Sequence, residues 1–567
     1  MGATHAAAGY SAAVARWSLI LLLSCGAPPE ELAGCRYPVA PAELIRVEPG
    51  APCRDGARPP GQFVDAAELL GINVVHEMEV VDASGWYEVD VAGGAVADLD
   101  GDNALDLLFA NAGGRLTAFT TGGRGPLRYV RREYDILDTR GLLVVDLDGD
   151  GARDVVATHS DSGVWLRGDG KGGLGSAAPL VPGLDDRLEA QVFLGACAGD
   201  LDGDGHVDVY IANHEVEPGF ESERRGALPG FGPEFLVKGS CSGPSADLSD
   251  RLPKTRVEDK TFLVTLVDLD GDRDLDLYET NDQWSQKALG LDPDDDEKQG
   301  NRLFENTGAG FVDVSRVSGA DVAVSAMGAA VGDYDNDGLV DLYITAMLPE
   351  ANALLHNDGG LRFSDRTAAL GADTLTAEHD VAWGAVFLDA DADGWLDLFV
   401  AHGHNLDPVA TANPDEQKSV LLLNRGGAAF EPGTAGLDGV RHARSPLVGD
   451  LDRDGFPDLV VTNAGSAPHV YLNGCDSRPW LSVRLFGGPG NTDGGGAQVV
   501  VRGGGIEQLR PILLGGDGVF GSSAPEASFG LPEGTTVVEL EVRWPSGATQ
   551  VFPGVPVRHL VSVKSPG

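Results

Sequence analysis

Residues 98–106 read Asp98-Leu99-Asp100-Gly101-Asp102-Asn103-Ala104-Leu105-Asp106, and the same acidic pattern returns six more times. The later copies place Asp at 146, 148, 150 and 154, at 200, 202, 204 and 208, and at 268, 270, 272 and 276. Three more follow: Asp333, Asp335, Asp337 and Asp341; Asp389, Asp391, Asp393 and Asp397; Asp450, Asp452, Asp454 and Asp458. Successive starts lie 48, 54, 68, 65, 56 and 61 residues apart. With Asp at roughly one residue in ten, four Asp at these offsets would arise about 0.06 times in such a chain. Seven copies in phase are an internal repeat.

The spacing carries chemistry. Carboxylates at positions 1, 3 and 5 of a tight loop converge, and hard oxygen ligands suit Ca²⁺. The Asp at position 9 closes the cage, so the candidate ligands are Asp98, Asp100, Asp102, Asp106, Asp146, Asp148, Asp150, Asp154, Asp200, Asp202, Asp204 and Asp208 in the first three loops. The remaining four loops supply Asp268, Asp270, Asp272, Asp276, Asp333, Asp335, Asp337, Asp341, Asp389, Asp391, Asp393, Asp397, Asp450, Asp452, Asp454 and Asp458. About six or seven structural Ca²⁺ ions are expected on this reading. Position 6 demands a positive φ and is Gly in five loops; Asn103 suits it, whereas Arg273 is expected to spoil the fourth turn. Asp residues that only cap turns are the bland alternative.

An EF-hand needs Glu at position 12 and flanking helices. Position 12 here is Phe109, Ala157, Ile211, Glu279, Ile344, Val400 and Val461 in turn. The flanks, such as Leu142-Leu-Val-Val145 and Leu342-Tyr-Ile-Thr345, read as strands buried on both faces. Each loop is therefore a turn between strands. A third strand ending in Asn306, Asn357, Asn424 or Asn473 follows, then a Gly-rich turn and a fourth strand at Phe311, Phe363 or Phe430. Four strands per unit make a propeller blade, and seven units predict an all-β, seven-bladed β-propeller over residues 62–476. The last unit lacks a fourth strand, and the orphan Gln62-Phe63-Val64-Asp65 is expected to cross over and complete it.

Composition bounds the function. The 567 residues carry 41 Lys plus Arg against 87 Asp plus Glu, a net charge of −46, which excludes nucleic acid as a partner. No acid precedes Glu30, Arg16 precedes the apolar run Trp17 to Leu23, and Leu22-Leu23-Ser24-Cys25-Gly26 resembles a lipobox. Residues 1–24 thus read as a lipoprotein signal and residues 25–61 as a lipidated Cys25 with a Pro/Gly-rich tether. An exported, outer-membrane-anchored, periplasmic or surface protein follows, touching membrane only through that lipid and expected as a monomer. Of the six Cys, Cys35 and Cys53 form the most local pair, though connectivity stays open.

The loops and flanks resemble FG-GAP/VCBS repeats, the blade type of integrin α-subunit heads. Met327-Gly328-Ala-Ala-Val-Gly-Asp333 and Trp383-Gly-Ala-Val-Phe-Leu-Asp389 are especially similar to the family that includes cartilage acidic protein and bacterial relatives. Residues 477–567 are similar to that family's C-terminal ASPIC/UnbV domain, through Trp480-Leu-Ser-Val-Arg484, Asn491-Thr-Asp493-Gly-Gly-Gly-Ala497, Ser528-Phe-Gly530-Leu and Val542-Arg-Trp-Pro-Ser-Gly547. Val519-Phe520-Gly521 departs from the family, which usually has an aromatic followed by Leu-Ser there. The segment 215–260 also enlarges the link between the third and fourth units. The resemblance implies a calcium-binding extracellular propeller and a small all-β terminal domain.

Other motifs are decoys. Gly168-Asp-Gly170-Lys-Gly-Gly173 has no following helix, Arg167-Gly168-Asp169 is a common accident, and Gly239-Ser-Cys241-Ser-Gly243 lacks the flanks of a nucleophile elbow. His402 and His404 are half a metal site at most. The function expected is non-enzymatic: a calcium-bearing adhesion or binding scaffold for an extracellular protein or polysaccharide, with the ligand near 215–260. The alternative is a calcium-dependent polysaccharide lyase or hydrolase, which needs a base beside a basic groove.

Overall fold

A computed structural model describes residues 20–22, 44–53, 58–77, 91–122, 127–159, 163–181, 191–215, 235–252, 261–282, 300–347, 350–375, 381–403, 417–433, 436–437 and 442–566. Seven antiparallel sheets follow one another through residues 94–133, 142–179, 191–247, 261–313, 326–365, 382–432 and 443–472. We number them blades 1 to 7. Their first strands are apolar along almost every position because both faces pack on neighbouring blades. Each inner strand packs on the next, and Ala443–Gly449 packs on Gly94–Ala97, so the sheets close into a ring.

The orphan segment completes the ring as expected. Val64 and Asp65 pair with Leu472 and Tyr471, giving blade 7 its fourth strand from the other end of the propeller. The Ala66 amide donates to the Val470 carbonyl at 2.8 Å, and His469 hydrogen-bonds Asp65 at 2.7 Å. Thr462 Oγ1 of blade 7 also donates to the Ala92 carbonyl beside blade 1. The third-strand Asn residues tie blade to blade. Asn357 Nδ2 donates to the Leu269 carbonyl of blade 4 at 2.8 Å, Asn424 to Tyr334 of blade 5 at 2.8 Å, and Asn473 to Ala390 of blade 6 at 2.9 Å.

The C-terminal residues form a sandwich of two sheets around Leu481, Val483, Val499, Phe529, Leu540 and Val561. It recruits chain from before the propeller. Ile45–Pro49 pairs with His559–Val563, and Ile45 and Val47 pack on the sandwich core. Part of the expected tether is therefore a strand, because Ile45-x-Val47 supplies the period-two apolar face that an exposed tether would lack. Ile20–Leu22 pairs with Thr549–Val551 at the edge of the other sheet. Cleavage after residue 24 would remove that strand. Cys25 and Cys35 lie outside the described residues. Cys53 is bonded to Cys475 rather than to a local partner, since the chain passes the end of blade 7 on its way to Val64.

One loop of the sandwich enters the propeller axis. Leu514 and Gly515 pair with Ala198 and Cys197 of blade 3, and Thr265 of blade 4 donates its hydroxyl to the Gly516 carbonyl. The Gly518 amide lies 3.1 Å from both the Ala329 carbonyl of blade 5 and the Ala385 carbonyl of blade 6. The Phe520 amide donates to Ser445 Oγ of blade 7 at 3.0 Å, and the Phe520 carbonyl accepts from Leu142 of blade 2 at 3.2 Å. Ser522 pairs with Gly94 and Val96 of blade 1. Residues 514–522 thus touch all seven inner strands. Val519 and Phe520 fill the axis against Leu194, Phe262, Met327 and Trp383.

Gly518 has φ +74°, and a Cβ there would lie 2.8 Å from the Pro446 carbonyl. Gly518→Ala is expected to destabilise the folded chain by about 2 kcal/mol through strain and this close contact, read as a lower midpoint in urea unfolding. An unchanged midpoint would mean that the axial loop contributes nothing to the ring.

Candidate metal centre

All seven acidic loops share one hydrogen-bond pattern. The position-1 Asp accepts, on Oδ2, the amide of position 6: Asn103 at 3.1 Å, Gly151 at 2.8 Å, Gly205 at 2.9 Å, Arg273 at 3.1 Å, Gly338 at 3.1 Å, Gly394 at 2.9 Å and Gly455 at 2.9 Å. The position-5 Asp uses one oxygen to accept the amide of position 7, as Asp102 does from Ala104 at 2.8 Å. The position-9 Asp accepts twice. Asp106 takes the Leu99 amide at 3.0 Å on one oxygen and the Thr121 amide of the third strand at 2.7 Å on the other. Asp341 does the same with Tyr334 at 3.2 Å and Asn357 at 2.8 Å, and Asp458 with Leu451 at 2.9 Å and Asn473 at 2.8 Å.

Two left-handed residues make the turn possible. Position 6 has positive φ throughout, from Asn103 at +67° to Gly455 at +96°. Arg273 adopts +81° and the fourth loop keeps its fold, contrary to the expected spoiling. Its guanidinium reaches the Gly547 carbonyl and Thr549 of the sandwich, contacts that offset the backbone strain. Position 4 is also left-handed: Gly101, Gly149, Gly203 and Gly271, then Asn336, Ala392 and Arg453. The Gly recurring at position 4 in the first four loops was the available signal for this.

The carboxylates converge. One oxygen from each of Asp98, Asp100 and Asp106 lies within 4.8 Å of the others, and the sets Asp146, Asp148, Asp154 and Asp200, Asp202, Asp208 repeat this. In the fifth loop Asp335 and Asp337 cluster with His356. The position-9 Asp is at most 2 % exposed in every loop, so water cannot dissipate its charge. Burial, reinforced by neighbouring Asp, pushes Asp106, Asp208 and Asp276 up to about 8 and Asp154 up to about 7. Burial likewise drives Asp341, Asp397 and Asp458 well above the carboxylate range. Converging carboxylate oxygens with their charge held away from water suit a hard divalent cation.

This acidic face is covered by the sandwich. Arg484 Nη1 lies 2.8 Å from Asp98 Oδ2, Gln498 Nε2 donates to Asp268 at 3.2 Å, and the Gly530 amide donates to Asp389 at 2.9 Å. Arg153 of the second loop pairs with Asp493, and Arg453 of the seventh with Glu526 at 3.0 Å. Trp480 packs so closely on Gly455 that a Cβ there would fall 2.0 Å from the ring. Sequence reading missed this cover, since no motif reports which face a terminal domain takes.

The decoys resolve locally. Gly168–Gly173 lies in the turn between two strands of blade 2, where Asp169 accepts the Lys171 and Gly173 amides at 2.8 Å. Arg167 faces the second acidic loop, so its tripeptide is engaged internally. Cys241 sits in a turn of blade 3, and His402 is buried against Thr374 Oγ1 at 2.8 Å. His404 lies outside the described residues, as does most of 215–260.

Family models match three stretches of this chain. The FG-GAP-like repeat family matches residues 146–211, the FG-GAP repeat family residues 442–474, and the ASPIC and UnbV family residues 487–567. The chain carries FG-GAP repeats and a C-terminal ASPIC/UnbV domain. It is 29% identical over 270 residues to cartilage acidic protein 1 of Xenopus tropicalis, a match spanning 45% of this chain and 39% of that protein. Among solved structures, an Agrocybe aegerita lectin recognising non-reducing terminal N-acetylglucosamine is similar at TM-score 0.38 and 15% identity, over 68% of this chain and 88% of the lectin. Saccharomyces cerevisiae Sqt1 matches at TM-score 0.38 and 8% identity, over 74% of this chain and all of that one. The V. cholerae biofilm matrix protein Bap1 matches at TM-score 0.28 and 13% identity, over 86% and 71%.

The raised carboxylates set a pH dependence. Between about pH 4 and pH 8 the folded, calcium-free chain keeps protons on these Asp that the unfolded chain has released. Stability then falls as pH rises through that window. Calcium-stripped protein is therefore expected to melt lower at pH 8 than at pH 5, and calcium is expected to raise the midpoint more at pH 8. Equal calcium-free midpoints would contradict the burial of these charges.

Proposed function

We propose that this protein is an exported, calcium-stabilised β-propeller scaffold that binds an extracellular protein or polysaccharide without transforming it. The convergence of three carboxylate oxygens in the first loop, from Asp98, Asp100 and Asp106, carries the calcium reading. Each loop carries Asp at positions 1, 3, 5 and 9, and a bound divalent ion would remove the repulsion among those that converge. The Cys53–Cys475 disulfide supports an oxidising compartment, in keeping with the signal-like residues 1–24 and lipidation at Cys25.

The sandwich bears on where a ligand would sit. It covers the acidic face, and residues 514–522 fill the axis. A partner is therefore directed to the opposite face or the outer rim. Among the described residues no observation favours the polysaccharide lyase or hydrolase alternative.

Thermal unfolding of residues 26–567 across a Ca²⁺ titration tests the calcium reading. Each site that binds only the folded chain is expected to add about 2.7 kcal/mol at a hundredfold excess over its Kd, so the midpoint should climb steeply and selectively over Mg²⁺. An unchanged midpoint would mean that the Asp residues only shape turns.

A further inference from the structure

The seven loops differ at one third-strand position. It is the residue before the amide that bonds the position-9 Asp, and in blades 2, 3 and 5 it lies beside the carboxylates at positions 3 and 5. Thr120, Leu423 and Leu472 occupy it in blades 1, 6 and 7, Glu305 in blade 4 and His356 in blade 5. Blades 2 and 3 place a permanent cation there. Arg167 Nε lies 2.6 Å from Asp148 Oδ2 and its Nη2 2.7 Å from Asp150 Oδ2. Lys238 Nζ lies 2.8 Å from Asp202 Oδ2 and 2.5 Å from Asp204 Oδ2, with Arg251 a further 3.4 Å from Asp202. In both blades the cation bridges the oxygens of positions 3 and 5, the pair a divalent ion would need.

We propose that Arg167 and Lys238 are built-in counterions that take the place of calcium in the second and third loops, leaving divalent ions to the other five. This rests on the calcium reading above. A tethered cation occupies its site at high effective concentration and repels a second positive charge entering the same cage. The Lys238 site is the better enclosed, its ammonium stem only 25% exposed against 55% for Arg167. Blade 4 shows the opposite arrangement. There Glu305 adds a further acid near Asp270, which favours a divalent ion. Blades 2 and 3 would then hold their turns in calcium-poor surroundings while the other five depend on the ion.

Calcium bound per folded chain, counted by equilibrium dialysis of the intact protein near neutral pH, tests the assignment. The expected count is five. Asp148→Asn and Asp202→Asn should leave it unchanged, whereas Asp335→Asn and Asp391→Asn should each lower it by one. Lys238→Met and Arg167→Met should each raise it by one, with circular dichroism verifying that every variant folds. A count of seven, or a drop of one in Asp202→Asn with no gain in Lys238→Met, would overturn the assignment while keeping calcium in the loops. A count of zero would overturn the calcium reading itself.

Discussion

Seven inner strands meet around one axis, and each presents an edge of backbone amides and carbonyls to it. Unpaired backbone groups at a buried edge are costly, so the centre of the ring has to be filled with partners. The chain meets this demand with residues 514–522 of its own terminal sandwich. That loop brings both polarities: Gly518 donates to blades 5 and 6, while Gly516 and Phe520 accept from blades 4 and 2. Its glycines permit the close approach, and Val519 with Phe520 supplies the apolar filling. Propeller and sandwich are one folding problem.

The acidic loops answer a second constraint. The turn between first and second strands must carry two left-handed residues, and its amides point inward with no strand partner. The position-1 and position-9 carboxylates accept those amides, and position 9 also holds the third strand. The same oxygens that satisfy the turn concentrate negative charge on one face. Part of that charge is met by the sandwich through Arg484, Gln498 and Gly530, and part by Arg167 and Lys238. The remainder motivates calcium.

Much of this was legible in the residues. The Asp spacing located every first-to-second-strand turn, the recurring Asn marked the third strands of blades 4 to 7, and Val64-Asp65 was found where the last sheet needed its fourth strand. Arg273 misled, because a positive φ costs little once the side chain gains partners on the sandwich. Ile45–Pro49 hid inside a Pro-rich stretch although Ile45 and Val47 alternate correctly. The axial loop was beyond reach: Gly515 and Gly518 read as ordinary turn glycines, and their partners at Cys197, Ala329 and Ala385 lie more than a hundred residues away.

The terminal loop acts as the axle of the ring, and hydrogen exchange of the intact protein, with calcium in the buffer, checks this. The amides of Gly518, Phe520 and Ser522 should exchange as slowly as those of the inner strands Ala326–Gly332 and Ala382–Leu388, since one opening event must free them together. Fast exchange in 514–522, with the inner strands still protected, would show that the loop only rests at the axis and that the propeller holds itself.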